Sequence, residues 1–102
     1  MTGGHRPRNT GKAFEGEVAH KIGGKRAGYG NLELPDVSNS WLDVECKVMT
    51  LPAKLEGAFH TVKTRGEVKK VPIVVLKEKG KEWSEARVYM SFNDFLDWFG
   101  GD

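Results

Sequence analysis

The sequence predicts an α/β fold: a central mixed β-sheet flanked by helices, in the order helix, three strands, helix, two strands, helix. Three patterns predict it. Apolar residues recur at helical spacing in three segments, alternate strictly from Leu42 to Val48 within residues 41–49, and run unbroken after Pro72 over residues 71–76. With 102 residues, 38% hydrophobic and 29% charged, the chain has the size and balance of one globular domain. That leaves no room for a separate cofactor-binding lobe. The expected organisation is a single domain over residues 1–102, with residues 1–10 as a flexible basic arm.

The first helix is expected over residues 10–22, where Phe14, Val18 and Ile22 fall on one stripe about 80° wide. Glu15 borders that stripe, whereas Glu17 lies farther round, so Glu15 is the acid expected to be held against the rest of the domain. Gly23 and Gly24 end the helix. Residues 26–34 contain Gly28, Gly30 and Asn31 and read as a loop or irregular strand. A short strand or turn at 34–37 leads through Ser38, Asn39 and Ser40 into a strand over 41–49. There Leu42, Val44, Cys46 and Val48 share one face, and Asp43, Glu45 and Lys47 the other.

Thr50 and Pro52 start a second helix, with Leu55, Ala58, Phe59 and Val62 on its apolar face and Gly66 at its end. The run at 71–76 is that of a central strand covered on both faces. A charged turn around Gly80 over residues 77–82 precedes another strand at 86–90. Ser91 then caps a last helix with Asp94 at its third position, and Phe92, Phe95, Leu96 and Phe99 form the stripe. Trp41, Trp83 and Trp98 are expected as core or subunit contacts.

Several function classes are excluded at this level. No apolar run approaches the roughly 20 residues of a membrane span. The polar, basic first ten residues lack the apolar core of a secretory signal. A single cysteine rules out an internal disulfide framework and cysteine-rich zinc modules, and fits a reducing cytoplasm. His5, His20 and His60 lack metal-ligand spacing. The net charge of +2 conceals four blocks: +4 over residues 1–30, −3 over 31–53, +4 over 54–82 and −3 over 83–102. An acidic cluster between basic blocks fits a polyanion-binding surface around a metal centre, although scattered solvated charge gives the same counts.

The chemistry concentrates in Pro35-Asp36 and, nine residues later, Glu45-Cys46-Lys47. If the chain turns at residues 38–40, Asp36 returns beside Glu45 on the neighbouring strand. Two close carboxylates form a hard oxygen site suited to Mg²⁺ or Mn²⁺, and without a cation or a shared proton they repel. Lys47 shares the side of Glu45, and the backbone carbonyl of Cys46 is a further candidate ligand. Taken singly, Asp36 fits a turn residue, and Glu45 and Lys47 fit the solvated face of a half-buried strand. Cys46 itself reads as a small core residue.

These residues, with Glu15 in Lys-Ala-Phe-Glu-Gly-Glu on the first helix, resemble the PD-(D/E)XK nuclease superfamily. The span from about Gly11 to Phe99 is similar to its small resolvase-like branch, the archaeal-type Holliday-junction resolvases and their short phage relatives. The resemblance implies a restriction-endonuclease-like core. It also implies a Mg²⁺-dependent DNA endonuclease of recombination or repair, acting on branched DNA as a homodimer in a prokaryotic or phage-infected cytoplasm. Asp36, Glu45, the Cys46 carbonyl and Glu15 would hold the metal, and Lys47 would position or help deprotonate the water. The segment between Asp36 and Glu45 is short even for this branch, and the second helix carries His60 and Thr61 where relatives often have glutamine.

Arg6, Arg8, Lys12, Lys25 and Arg26 are the expected phosphate contacts, with Tyr29 placed to stack on a base or sugar. The exposed side of the last helix, including Trp98, is one candidate dimer contact. Two other readings stay open: a non-catalytic nucleic-acid-binding module on the same fold, and a repair or restriction-like nuclease acting on linear duplex or flaps.

Overall fold

A computed structural model of the protein describes residues 7–27 and 34–100, with side chains from Gly11 onward. Its elements run α1 (Pro7–Ile22), β1 (Lys25–Arg26), β2 (Val37–Ser38), β3 (Asp43–Val44), α2 (Ala53–Arg65), β4 (Val74–Leu76), β5 (Arg87–Tyr89) and α3 (Phe92–Phe99), with a 3₁₀ turn at Trp83–Glu85 before β5. The described residues form a mixed α/β structure with three helices and two small antiparallel sheets. They fall into two compact units, one ending at Met49, to which Phe99 also belongs, and one spanning Thr50–Trp98.

In the first unit α1 begins at Pro7, three residues earlier than the periodicity predicts, so residues 7–10 are helical rather than part of a free arm. Proline suits a first helical turn because its φ is already helical and its missing N–H would have no partner there. The buried face is Val18, Ala19 and Ile22, with Glu15 half-buried one turn above; Phe14, expected on the stripe, is 38% exposed and Glu17 is exposed. The face is rotated towards Glu15 and Ala19 because α1 packs on β1 and β2, strands of two residues each that cover only the end of the helix.

The helix ends in a Schellman motif. Gly23 takes φ +62°, its N–H reaches the His20 carbonyl at 3.3 Å, and the Gly24 N–H reaches the Ala19 carbonyl at 2.8 Å. Gly24 also allows a close approach: a Cβ there would clash with the Ser38 carbonyl oxygen. Gly24→Ala therefore forces the helix end away from β2. It should cost about 1–3 kcal/mol in urea denaturation, as overpacking does. Gly16→Ala, with nothing within 4 Å of its added methyl, should instead be stabilising. Equal behaviour of the two variants would refute the close-approach account.

Strands β1, β2 and β3 pair antiparallel in that order, with Lys25 opposite Ser38, Arg26 opposite Val37, Val37 opposite Val44 and Ser38 opposite Asp43. The strand expected over 41–49 is thus paired only at Asp43–Val44. Its burial still alternates: Leu42, Val44 and Cys46 are half-buried, while Asp43, Glu45 and Lys47 are exposed. Val37 and Ile22, both fully buried, are the centre of this unit's core.

In the second unit α2 ends at Gly66 as the sequence predicts, and Pro52 precedes its first residue. Leu55, Phe59 and Val62 are half-buried, Ala58 exposed. Phe59 meets Tyr89 edge-on with ring centroids 5.3 Å apart, and the Tyr89 hydroxyl donates to the Glu56 carboxylate, which holds the phenol above its ordinary pKa. Strands β4 and β5 pair antiparallel, Val75 opposite Val88. The run at 71–76 is therefore not a central strand covered on both faces. Only residues 74–76 pair, with a single neighbour among the described residues, and Ile73, Val75 and Val88 are exposed. The expected single mixed sheet is replaced by two antiparallel ones, because each hairpin pairs locally and no parallel crossover forms among the described residues.

Ser91 caps α3: its Oγ accepts the Asp94 N–H at 3.0 Å. Phe92 and Phe95 stack at 6.4 Å. Trp41, Trp83 and Trp98 are 50%, 83% and 64% exposed, so none is a core residue. Among the described residues no helix is long and apolar enough to cross a membrane.

Candidate active site

Asp36 and Glu45 stand at the open end of the β2–β3 hairpin. Continued by one step beyond Val37 and Val44, the same register sets Asp36 opposite Glu45. The ladder stops there, which leaves the Cys46 N–H without a strand partner. The Asp36 carboxylate supplies one, accepting that N–H at Oδ2 over 2.8 Å. On its other side the Asp36 carbonyl accepts the Ala27 N–H at 2.9 Å. Asp36 is therefore a strand-end residue, tied to the chain on both sides, and half-buried.

Glu15 approaches from α1. Its carboxylate, 25% exposed, meets the Arg26 Nε of β1 at 3.4 Å. Arg26, expected as a phosphate contact, is thus also the partner of an expected metal ligand. The length and exposure of the pair make it weak in solution.

The half-buried Cys46 thiol lies next to Glu45 in the chain. Partial burial, and then the negative charges of Asp36, Glu15 and Glu45 in that order, hold its pKa above the ordinary thiol range. All three predicted carboxylates therefore act on this thiol, one from α1 and two from the ends of β2 and β3. Their ligand potential is a separate matter. The oxygens of Asp36, Glu45, Glu15 and the Cys46 carbonyl are hard donors that suit Mg²⁺ or Mn²⁺ by chemistry. Among the described residues, however, no three acidic, His or Cys side chains are gathered into a ready ligand set. Electrostatic reach extends farther than a coordination sphere, so both statements hold. A cation would have to draw the carboxylates inward.

Lys47 is exposed on the side of Glu45, and Lys12, Lys25 and Arg26 are exposed. Arg6 and Tyr29 lie outside the described residues, as does the side chain of Arg8. His60 and Thr61 are exposed on α2, in the other unit. Two features were missed from sequence: the Glu15–Arg26 pairing, which no local pattern encodes, and the use made of Asn39. The Ser38-Asn39-Ser40 turn was recognised, but the reach of its central amide was not. No family model, curated protein or solved structure matches this chain.

Proposed function

We propose that this protein is a Mg²⁺-dependent DNA endonuclease that hydrolyses phosphodiester bonds, selects branched DNA such as four-way junctions, and works as a homodimer. The observation that supports this most is the hairpin register that continues to Asp36 opposite Glu45, with the Asp36 carboxylate on the Cys46 N–H and Lys47 next in the chain. In this reading Asp36, Glu45, Glu15 and the Cys46 carbonyl hold the cation, which when bound supplies Lewis-acid polarisation of the phosphate. The Lys47 ammonium places positive charge where negative charge grows in the transition state and orients the attacking water. Lys12, Lys25 and Arg26 hold flanking phosphates, and a phosphate taken by Arg26 releases the Glu15 carboxylate. Two cuts related by symmetry need two sites on a twofold axis, and exposed Trp98 is available for contact with a second copy.

One observation favours a second reading, a non-catalytic nucleic-acid-binding module. Glu15 is paired with Arg26 and Asp36 with a backbone N–H, an arrangement that stands without a cation. The substrate assay separates the two. Four-way junction, flap and linear duplex are incubated with the protein in Mg²⁺ and in excess EDTA. We expect Mg²⁺-dependent cutting of the junction at least about tenfold faster than of the duplex, equivalent to about 1.4 kcal/mol of selectivity. Binding without cutting of any substrate leaves the module reading. A preference for flaps or duplex moves the protein to a repair or restriction-like role.

A further inference from the structure

Asn39 uses both ends of its side-chain amide. Its Oδ1 accepts the backbone N–H of Trp41 at 2.9 Å and of Leu42 at 2.8 Å, while its Nδ2 donates to the Ile22 carbonyl at 2.8 Å. Its own backbone N–H donates to the Leu42 carbonyl at 3.0 Å and closes the β2–β3 turn. The amide has one workable orientation, since a flip would set an NH₂ against two N–H groups and an oxygen against a carbonyl.

The Ile22 carbonyl belongs to the last residue of α1, where helices leave their carbonyls without helical partners. Gly23 and Gly24 serve those of His20 and Ala19, and Asn39 serves that of Ile22. A single side chain thus joins the end of α1 to the hairpin. Glu15 lies seven residues up that helix, Asp36 directly precedes β2, and Glu45 directly follows β3. The other ties between α1 and the sheet are the burial of Val18, Ala19 and Ile22 and the long, solvent-exposed Glu15–Arg26 pair. Apolar burial is non-directional and lets a helix roll or slide; a hydrogen bond of fixed orientation does not.

We propose that Asn39 is the positioning residue of the candidate active site: its amide fastens the hairpin that carries Asp36 and Glu45–Lys47 to the helix that carries Glu15. The catalytic consequence rests on the nuclease reading, whereas the positioning itself does not. Asn39→Asp is the informative variant. A carboxylate keeps both acceptor bonds of the turn, but it cannot donate to Ile22 and is repelled by that carbonyl and by the negative end of α1. Should it fail to fold, Asn39→Ser makes the same comparison, because a hydroxyl can serve the turn but is too short to span to Ile22.

Two measurements on the full chain test it, both at a temperature where circular dichroism shows each variant folded. The first is the rate of alkylation of Cys46, the only cysteine, by iodoacetamide. It should rise several-fold in Asn39→Asp as the loosened hairpin uncovers the half-buried thiol. The second is junction cleavage in Mg²⁺, where kcat should fall about 10- to 100-fold, the usual loss when a partner orienting a ligand is removed, while KM for DNA stays within about twofold. Wild-type alkylation in the variant overturns the positioning role whatever happens to cleavage. Faster alkylation with unchanged kcat, or with a loss confined to KM, overturns it as a role in the chemistry. Faster alkylation in a protein whose wild type never cuts DNA removes the nuclease reading and leaves the positioning intact.

Discussion

Replacing Asp36 and Glu45 together by alanine should abolish Mg²⁺-dependent cleavage, by at least about 10³-fold, or several kcal/mol of transition-state stabilisation. Binding to branched DNA should survive or tighten. The two effects part because the carboxylates act in opposite senses on the two steps. They would hold the cation that the chemistry needs, yet they oppose a phosphate backbone, and removing two negative charges from the site favours the polyanion. Asp36 has a further task, since its carboxylate accepts the Cys46 N–H at 2.8 Å. Asp36→Asn retains an acceptor for that bond while removing the charge. It should keep wild-type stability and lose cleavage almost as completely as the double variant. Cleavage at the wild-type rate in the double variant, measured on radiolabelled junctions under single-turnover conditions, would eliminate the enzyme reading.

The largest effect on stability is expected at Ile22. Among the described residues the buried hydrophobic side chains are Val18, Ala19, Ile22 and Val37, all in the first unit, and only Ile22 and Val37 are fully buried. Ile22→Ala should cost about 2–5 kcal/mol, the range for truncating a buried aliphatic residue. Whole-protein stabilities are typically only about 5–15 kcal/mol, so most of the margin of so small a core would go. Ile22→Val should cost about 0.5–1.5 kcal/mol, and Val75→Ala, at a 62% exposed position, should stay within about 0.5 kcal/mol of wild type. Urea titrations followed by far-ultraviolet circular dichroism give the series. An Ile22→Ala midpoint equal to that of Val75→Ala would show that the core lies elsewhere. The alkylation rate of Cys46 should rise with the loss of Ile22 as well, but together with unfolding. Asn39→Asp, by contrast, should raise it in a folded chain.

Much of the local structure was legible in the residues. Gly23 and Gly66 end α1 and α2, Ser91 caps α3 through Asp94, and the alternation from Leu42 to Lys47 survives in the burial even where no ladder forms. Glu15 rather than Glu17 is held against the unit, as its angle on the helix implies. Each of these depends on neighbours within one turn or one hairpin, where spacing in sequence is spacing in space. The hairpin placing Asp36 one step beyond a pair whose continuation meets Glu45 is of the same kind.

Tertiary structure decided the rest. The apolar run at 71–76 carries the composition of a central strand, yet Val75 and Val88 face outward on a two-stranded sheet, because composition does not say which strand will be the neighbour. Arg26 reads as a phosphate contact until α1 brings Glu15 to it, and Asn39 reads as a turn residue until the Ile22 carbonyl arrives above it. These pairs are separated by 11 and 17 residues, too far for any helical or strand period to register. The 102 residues therefore determine their own helices, turns and acidic motif. Which acid meets which cation, and which amide ties helix to hairpin, depends on how separate elements pack, since hydrogen bonds and ion pairs form only between groups the fold has already brought within reach.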